Sequence, residues 1–392
     1  MGSFFLCVER RLIQGGLALN FLRLIFLPPS PCMQDFTATG PSPDHSPAPL
    51  GTGHPSFNQR IRELVADWGC DKSCVLIEEM IMTALKLGRD QTTTADLKLF
   101  NRSLKELRYA ARVFAPYRHL RKVVVFGSAR TPPEAPVSLL AEEFSRRMIE
   151  AGYMIITGGG EGIMGAAQRG AGREHSFGLN IRLPFEQRAN LTIHGDPKLI
   201  NFNYFFTRKL NFVKESHAVV LFPGGFGTLD EGFEVLTLMQ TGKSRIIPFV
   251  LVDVPGGTFW EKWLTFVKED MLVHGLVSPE DFHFFKMTHD LDVALAEVTQ
   301  FYKNFRSYRW VGDRFVIRIL RNLTPTAVAD LNRDFRDILD GGDICQTTAL
   351  PEESNEPEIA DLPRIVLSPH RRKFGRFRML LNAINSSETE PE

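Results

Sequence analysis

Three apolar runs in the middle of the chain each end abruptly in glycine: V-V-V-F-G-S-A-R at 123–130, Y-M-I-I-T-G-G-G at 153–160 and A-V-V-L-F-P-G-G-F-G at 218–227. Apolar, β-branched runs without polar alternation suit strands buried on both faces, as in a parallel sheet covered by helices. Helices are expected between them at 138–150, after the glycine turn at 158–165, at 207–217 and at 228–240. Further strands are expected at 177–183 and 246–253. Strand and helix in regular alternation specify an α/β, Rossmann-like, doubly wound parallel sheet. Ligands of such sheets bind outside the carboxyl ends of the strands, where this chain gathers Gly127, Gly159, Gly160, Gly224, Gly225 and Gly227.

The flanks read differently. Residues 1–32 mix apolar residues with Glu9, Arg10, Arg11 and Arg23, leaving no uninterrupted run long enough for a membrane and no ordered secretory signal. A Pro/Ser/Gly-rich stretch follows Met33, so 1–56 is expected to be a disordered tail with Met33 as the biological start. Ile61, Leu64, Val65, Leu76, Ile77, Met80, Ile81 and Leu85, then Leu97, Phe100, Leu104 and Leu107, recur at helical spacing, predicting a helical cap over 57–118. The α/β domain is placed at 119–305 and an α-rich C-terminal extension at 306–392.

Lysine plus arginine balances aspartate plus glutamate at 46 each, so no global field draws the chain to nucleic acid or an anionic membrane. The five widely spread cysteines suit a reducing cytoplasm. Cys70 and Cys74 lack the further ligands that zinc needs, so no metal site is expected. The basic, phenylalanine-studded H-R-R-K-F-G-R-F-R at 370–378 could face RNA, but with balanced charge elsewhere a solvated or subunit-contacting segment is the better expectation.

Glycine lets backbone N–H groups approach a phosphate, and a helix N-terminus adds partial positive charge. Hydride-transfer chemistry is disfavoured because the first strand ends in G-S-A-R-T-P-P instead of G-x-G-x-x-G, and no Walker A sequence occurs. G-G-G-E-G-I-M-G (158–165) and P-G-G-F-G-T-L-D-E (223–231), with Arg208-Lys209 before the second, resemble the LOG ("Lonely guy") phosphoribohydrolases, formerly labelled lysine decarboxylases. The long ends and the stretches at 121–131 and 176–187 look more like the larger bacterial members than the compact plant type.

That resemblance implies hydrolysis of the N-glycosidic bond of a nucleoside 5′-monophosphate, with no cofactor, in a dimer or larger homo-oligomer. It assigns catalysis to Glu231 and Arg208. The residues around them, Gly127, Ser128, Gly159, Gly160, Asn180, Lys209, Gly224, Gly225, Gly227 and Thr228, are candidates for substrate binding. Glu231 would stabilise an oxocarbenium-like sugar or activate water, and Arg208, whose guanidinium keeps its proton, would bind phosphate or orient ribose and water. Other readings stay open. Glu231 could be a helix-start acid, Ser128 a turn former, and Phe205 and Phe206 either a base platform or core. A non-catalytic nucleotide or cofactor carrier and an amino-acid decarboxylase are the alternatives in function, and the preferred base, purine, pyrimidine or cytokinin, is not fixed.

Overall fold

The computed structural model describes residues 51–70, 73–183 and 189–391. The expected tail and the Met33 start lie almost wholly outside the described residues. The chain forms two compact units dividing between Thr93 and Thr94. In the first, helices α1 (Pro55–Asp67) and α2 (Cys74–Arg89) share a small core of Ile61, Val65 and Met82. Leu64, Leu76, Ile77, Met80 and Leu85, expected to be buried by their spacing, are exposed.

The second unit opens with α3 (Thr94–Phe114) and then builds the sheet: β1 (Lys122–Phe126), α4 (Pro136–Glu150), β2 (Met154–Thr157), α5 (Ile163–Ala171), β3 (Ser176–Ile181), β4 (Leu199–Phe202), α6 (Phe205–Glu215), β5 (Ala218–Leu221), α7 (Phe226–Gln240), β6 (Phe249–Val252), α8 (Phe259–Phe266), β7 (Lys286–Thr288) and α9 (Leu291–Gln300). The seven strands are parallel, in the order β4-β3-β2-β1-β5-β6-β7. The sequence reading expected five of them. β4 (L-I-N-F) and β7 (K-M-T) are short edge strands with partly exposed residues, so neither carries the buried apolar signature.

Successive residues of the central strands serve opposite faces. Val123 and Val125 join Ile155, Val220 and Val250 under Phe144, Met148 and Ile163 of α4 and α5. Val124 and Phe126 join Ile156, Leu179, Val219 and Leu251 with Phe114 of α3, Phe212 of α6 and Met239 of α7. Burial on both faces is what makes these strands unbroken apolar runs.

The C-terminal part departs from the α-rich expectation. It holds a four-stranded antiparallel sheet, β10-β11-β9-β8, formed by β8 (Phe305–Val311), β9 (Arg314–Ile319), β10 (Leu339–Thr347) and β11 (Arg364–Pro369), with helices α10 (Pro325–Asp334) and α11 (Phe374–Ser386). β8 and β10 are edge strands with mostly polar, partly exposed residues, which hides them in the sequence. The basic 370–378 segment is divided: Arg371, Arg372 and Lys373 are exposed, whereas from Phe374 onward it turns inward. Phe374 and Phe377 pack on the core, Arg376 holds Asp337, Arg378 holds Glu297, and Arg371 lies over Trp310.

The acidic stretch P-E-E-S-N-E-P-E at 351–358 is tied to this sheet. Glu353 is buried between Arg318 and Arg364, its Oε1 accepting from Arg318 Nη2 at 2.7 Å and its Oε2 from Arg364 Nε at 2.9 Å. Burial alone would raise this carboxyl's pKa, but the hydrogen bonds from Arg318, Arg364 and the Leu350 N–H outweigh it and hold it below the ordinary value. A depressed folded-state pKa gives stability that is complete above the unfolded value of about 4.5 and is lost as pH falls through the folded value. Glu353→Ala removes the carboxylate that two buried guanidiniums share and is expected to cost roughly 3–5 kcal/mol in urea unfolding at neutral pH. The wild-type advantage should shrink in acid; an equal deficit at pH 7 and pH 3 would contradict this account.

Candidate active site

The strand order reverses at β1, whose neighbours are β2 and β5, so the loops leaving β1 and β5 diverge above the sheet. A cleft of about 780 Å³ opens there. Its walls are Gly127 to Arg130 after β1, Gly224 to Leu229 after β5, and Arg208, Phe212, Glu231, Met164 and Phe259. The Ser128 N–H donates to the Pro223 carbonyl at 3.1 Å and the Ile163 N–H to the Ser128 carbonyl at 3.0 Å, tying the three loops together.

The glycines divide into two kinds. A Cβ on Gly127 would fall 2.6 Å from Ile163, one on Gly224 2.2 Å from Thr228 Oγ1, and one on Gly162, at φ +67°, 2.3 Å from the Ser128 carbonyl oxygen. These three are needed for loop packing. A Cβ on Gly225 or Gly227 would meet nothing within 4 Å, and neither has positive φ. Both are exposed at the N-terminus of α7, which has no side-chain cap, so bare backbone with unfilled donors faces the cleft.

One helical turn further, Glu231 comes round to the face of Gly227 and Thr228. It is buried at 5% exposure and paired on both oxygens: Arg208 Nη2 lies 3.3 Å from Oε1 and Lys209 Nζ 3.3 Å from Oε2. Burial raises its carboxyl pKa above the ordinary value, against the opposing pull of Lys209 and Arg208. Lys209 also holds Asp230 at 2.8 Å and Glu234 at 2.9 Å. Burial would lower its pKa, but the bonds to those carboxylates prevail and leave it raised. Burial lowers the Arg208 pKa, the nearby Glu231 opposing. The Arg208 guanidinium lies 4.9 Å from the Phe205 ring and 5.6 Å from Phe212, and its buried Nε has no hydrogen-bond partner.

Of the residues singled out from sequence, Gly127, Ser128, Arg208, Gly224, Gly225, Gly227, Thr228 and Glu231 line the cleft. Lys209 stands behind Glu231. Gly159 and Gly160 are buried, their carbonyls accepting from Asn190 Nδ2 at 3.1 and 2.8 Å, and Asn180 donates to Asn201 across β3 and β4 at 3.0 Å. The Ser128 hydroxyl both lines the cleft and accepts the Arg130 N–H, so its two readings coexist. Phe205 and Phe206 are neither core nor cleft wall, being about half exposed. The aromatic wall consists of Phe126, Phe212, Phe226 and Phe259, which the sequence reading missed. Phe226, 94% exposed, was visible as the variable position of P-G-G-F-G-T, but nothing in the motif tells which way it faces.

Residues 164–298 match the family model described as "Possible lysine decarboxylase". The chain is 32% identical over 165 residues to a "Probable cytokinin riboside 5′-monophosphate phosphoribohydrolase" of Oryza sativa subsp. japonica, covering 41% of this chain and 63% of that one. A "Cytokinin riboside 5′-monophosphate phosphoribohydrolase" of the same plant is 27% identical over 156 residues, 39% of this chain and 62% of the relative. One from Arabidopsis thaliana is 25% identical over 162 residues, 41% and 72%. The chain thus spans less than two thirds of both rice relatives. Over about two fifths of its length it is distantly similar to the LOG, lysine decarboxylase-like family. Among solved structures, the molybdenum cofactor carrier protein of Chlamydomonas reinhardtii is 23% identical, covering 46% of this chain and 97% of its own at a TM-score of 0.32. Among the described residues no helix is long and apolar enough to cross a membrane.

The two kinds of glycine give a direct test. Gly162→Ala forces a side chain into left-handed backbone against a carbonyl and should lower stability by roughly 1–3 kcal/mol in urea unfolding. Gly225→Ala should leave it within about 0.5 kcal/mol of wild type. Equal losses at both positions would mean that Gly225 also serves packing.

Proposed function

We propose that this chain hydrolyses the N-glycosidic bond of nucleoside 5′-monophosphates, giving the free base and ribose 5-phosphate. The observation that carries the reading is the buried, doubly paired Glu231 beneath a helix N-terminus whose Gly225 and Gly227 no protein packing requires. The first-turn amides of α7 bind the 5′-phosphate. Glu231 lies about five residues on, roughly 7–8 Å along the axis, a separation on the scale of ribose 5-phosphate. A cleft of this size suits one nucleotide.

As the C1′–N bond breaks, positive charge gathers on the sugar and the bonding pair leaves with the base. Glu231 stabilises that charge and takes a proton from the incoming water, whose oxygen bonds to C1′. The departing base gains a proton from solvent, and Glu231 returns to solvent the one it took, so that one water is consumed across the C1′–N bond. The Arg208 guanidinium stays charged and holds Glu231 through Nη2 at the wall of the cleft, where it orients the ribose or phosphate. The grip on the phosphate supplies remote binding energy for work at C1′.

Lys209 supports this reading over an amino-acid decarboxylase. A lysine that forms a Schiff base must be neutral, whereas Lys209 is held by three carboxylates with a raised pKa, and among the described residues no lysine lines the cleft. A non-catalytic carrier predicts binding without turnover, which the same assays distinguish.

The full-length chain, incubated with a panel of nucleoside 5′-monophosphates, is expected to release base from at least one and to act far more slowly on the matching nucleoside. Equal rates would remove the phosphate cradle. Glu231→Gln should lower turnover by roughly 10²–10⁴ with nucleotide affinity retained in calorimetry, and near-normal turnover would leave Glu231 a helix-start acid. Because burial raises the Glu231 pKa, the acid limb of kcat/KM should lie above the ordinary glutamate value of 4.5, activity falling as pH drops through it. An acid limb unchanged in Glu231→Gln would assign that titration to another group.

A further inference from the structure

α6 carries Arg208 and Lys209 into the site, yet its own N-cap residue, Tyr204, makes no side-chain capping bond. A carboxylate from another helix instead holds the two flanks of the first turn of α6. Glu106 on α3 is 8% exposed and reaches the start of α6 with both oxygens. Its Oε1 accepts from the Asn203 N–H at 2.9 Å and from Asn203 Nδ2 at 2.6 Å, and its Oε2 accepts from the Thr207 hydroxyl at 2.6 Å. The carboxylate joins the residue before the N-cap to the third residue of α6, and a negative charge at this end is favoured by the helix dipole.

Thr207 immediately precedes Arg208, whose N–H donates to Tyr204 at 3.3 Å, so Glu106 grips residues on both sides of the turn from which Arg208 extends. Little else fixes the guanidinium. Its hydrogen bond to Glu231 is a single long contact at 3.3 Å, its Nε is unpartnered, and its other neighbours are the faces of Phe205 and Phe212. The placement of Arg208 against Glu231 therefore depends on the backbone of the first turn of α6. Glu106 lies outside the matched segment 164–298.

We propose that Glu106 is a positioning residue that sets Arg208 against Glu231 by capping α6 from α3, so that a helix preceding the sheet forms part of the catalytic apparatus. The functional half of this rests on the phosphoribohydrolase reading; the capping half does not.

The test uses the full chain with Glu106→Ala, Glu106→Gln and Thr207→Val. Hydrogen exchange should accelerate about fivefold or more over residues 203–209 in Glu106→Ala, remain unchanged over 218–240, and be partly restored in Glu106→Gln, which keeps one acceptor oxygen. With AMP, or whichever monophosphate of the panel is cleaved, kcat should fall roughly 10- to 100-fold in Glu106→Ala. Thr207→Val should lose less, Glu106→Gln should recover part of the rate, and KM should change little. Unchanged exchange over 203–209 overturns the proposal. Accelerated exchange with wild-type kcat also overturns it, reducing Glu106 to a structural cap. If the wild-type chain cleaves no monophosphate, the functional reading fails, and exchange together with AMP affinity judges Glu106: faster exchange with weakened binding supports the positioning role, and faster exchange with unchanged binding overturns it.

Discussion

The reversal of strand order at β1 is the constraint on which the rest depends. With β2 on one side and β5 on the other, the connections leaving β1 and β5 pass to different parts of the sheet and cannot pack against each other along their length. The structure holds the gap to a fixed width through the Ser128 to Pro223 and Ile163 to Ser128 backbone bonds, and through Gly127, Gly162 and Gly224, where a methyl group would not fit. The same gap admits an uncapped helix N-terminus on one side and two cations with a buried carboxylate at its base. On the proposed function, the phosphate-binding end and the charge-stabilising end would share one cleft without either having to be carried on a long loop.

The electrostatics of that base are a compromise. A carboxylate at 5% exposure would be driven towards its neutral form by burial alone, and the Arg208–Lys209 pair opposes this. The two cations are not equivalent. Lys209 is shared among Asp230, Glu231 and Glu234 and keeps the local charge near balance from behind, whereas Arg208 lines the cleft.

Much of this was legible in the sequence where burial is symmetrical. β1, β2 and β5 announce themselves because both faces are covered, and the glycine runs fall where those strands end. Glu231 and Arg208 came from motif resemblance, and the structure brings them to 3.3 Å of each other. What escaped was asymmetrical or long-range. The edge strands β4, β7, β8 and β10 carry no clean alternation, so although R-I-V-L of β11 reads as a strand, the C-terminal part as a whole reads as α-rich. Glu353 and Arg378 look like surface charges until partners distant in sequence neutralise them. Gly159, Gly160 and Asn180 sit at strand ends in sequence yet are turned to internal partners, because Asn190 and Asn201 arrive from segments with no detectable pattern. Glu106 and Asn203, 97 residues apart, belong to the same class.

The central claim is a statement about where a nucleotide lies, and a crystal structure of the Glu231→Gln variant with AMP tests it most directly. The account predicts the 5′-phosphate on the backbone amides at the start of α7, beside Gly225 and Gly227, with C1′ turned towards position 231 and Arg208 on a ribose or phosphate oxygen. A nucleotide bound with its phosphate away from α7, or with C1′ out of reach of position 231, would contradict it.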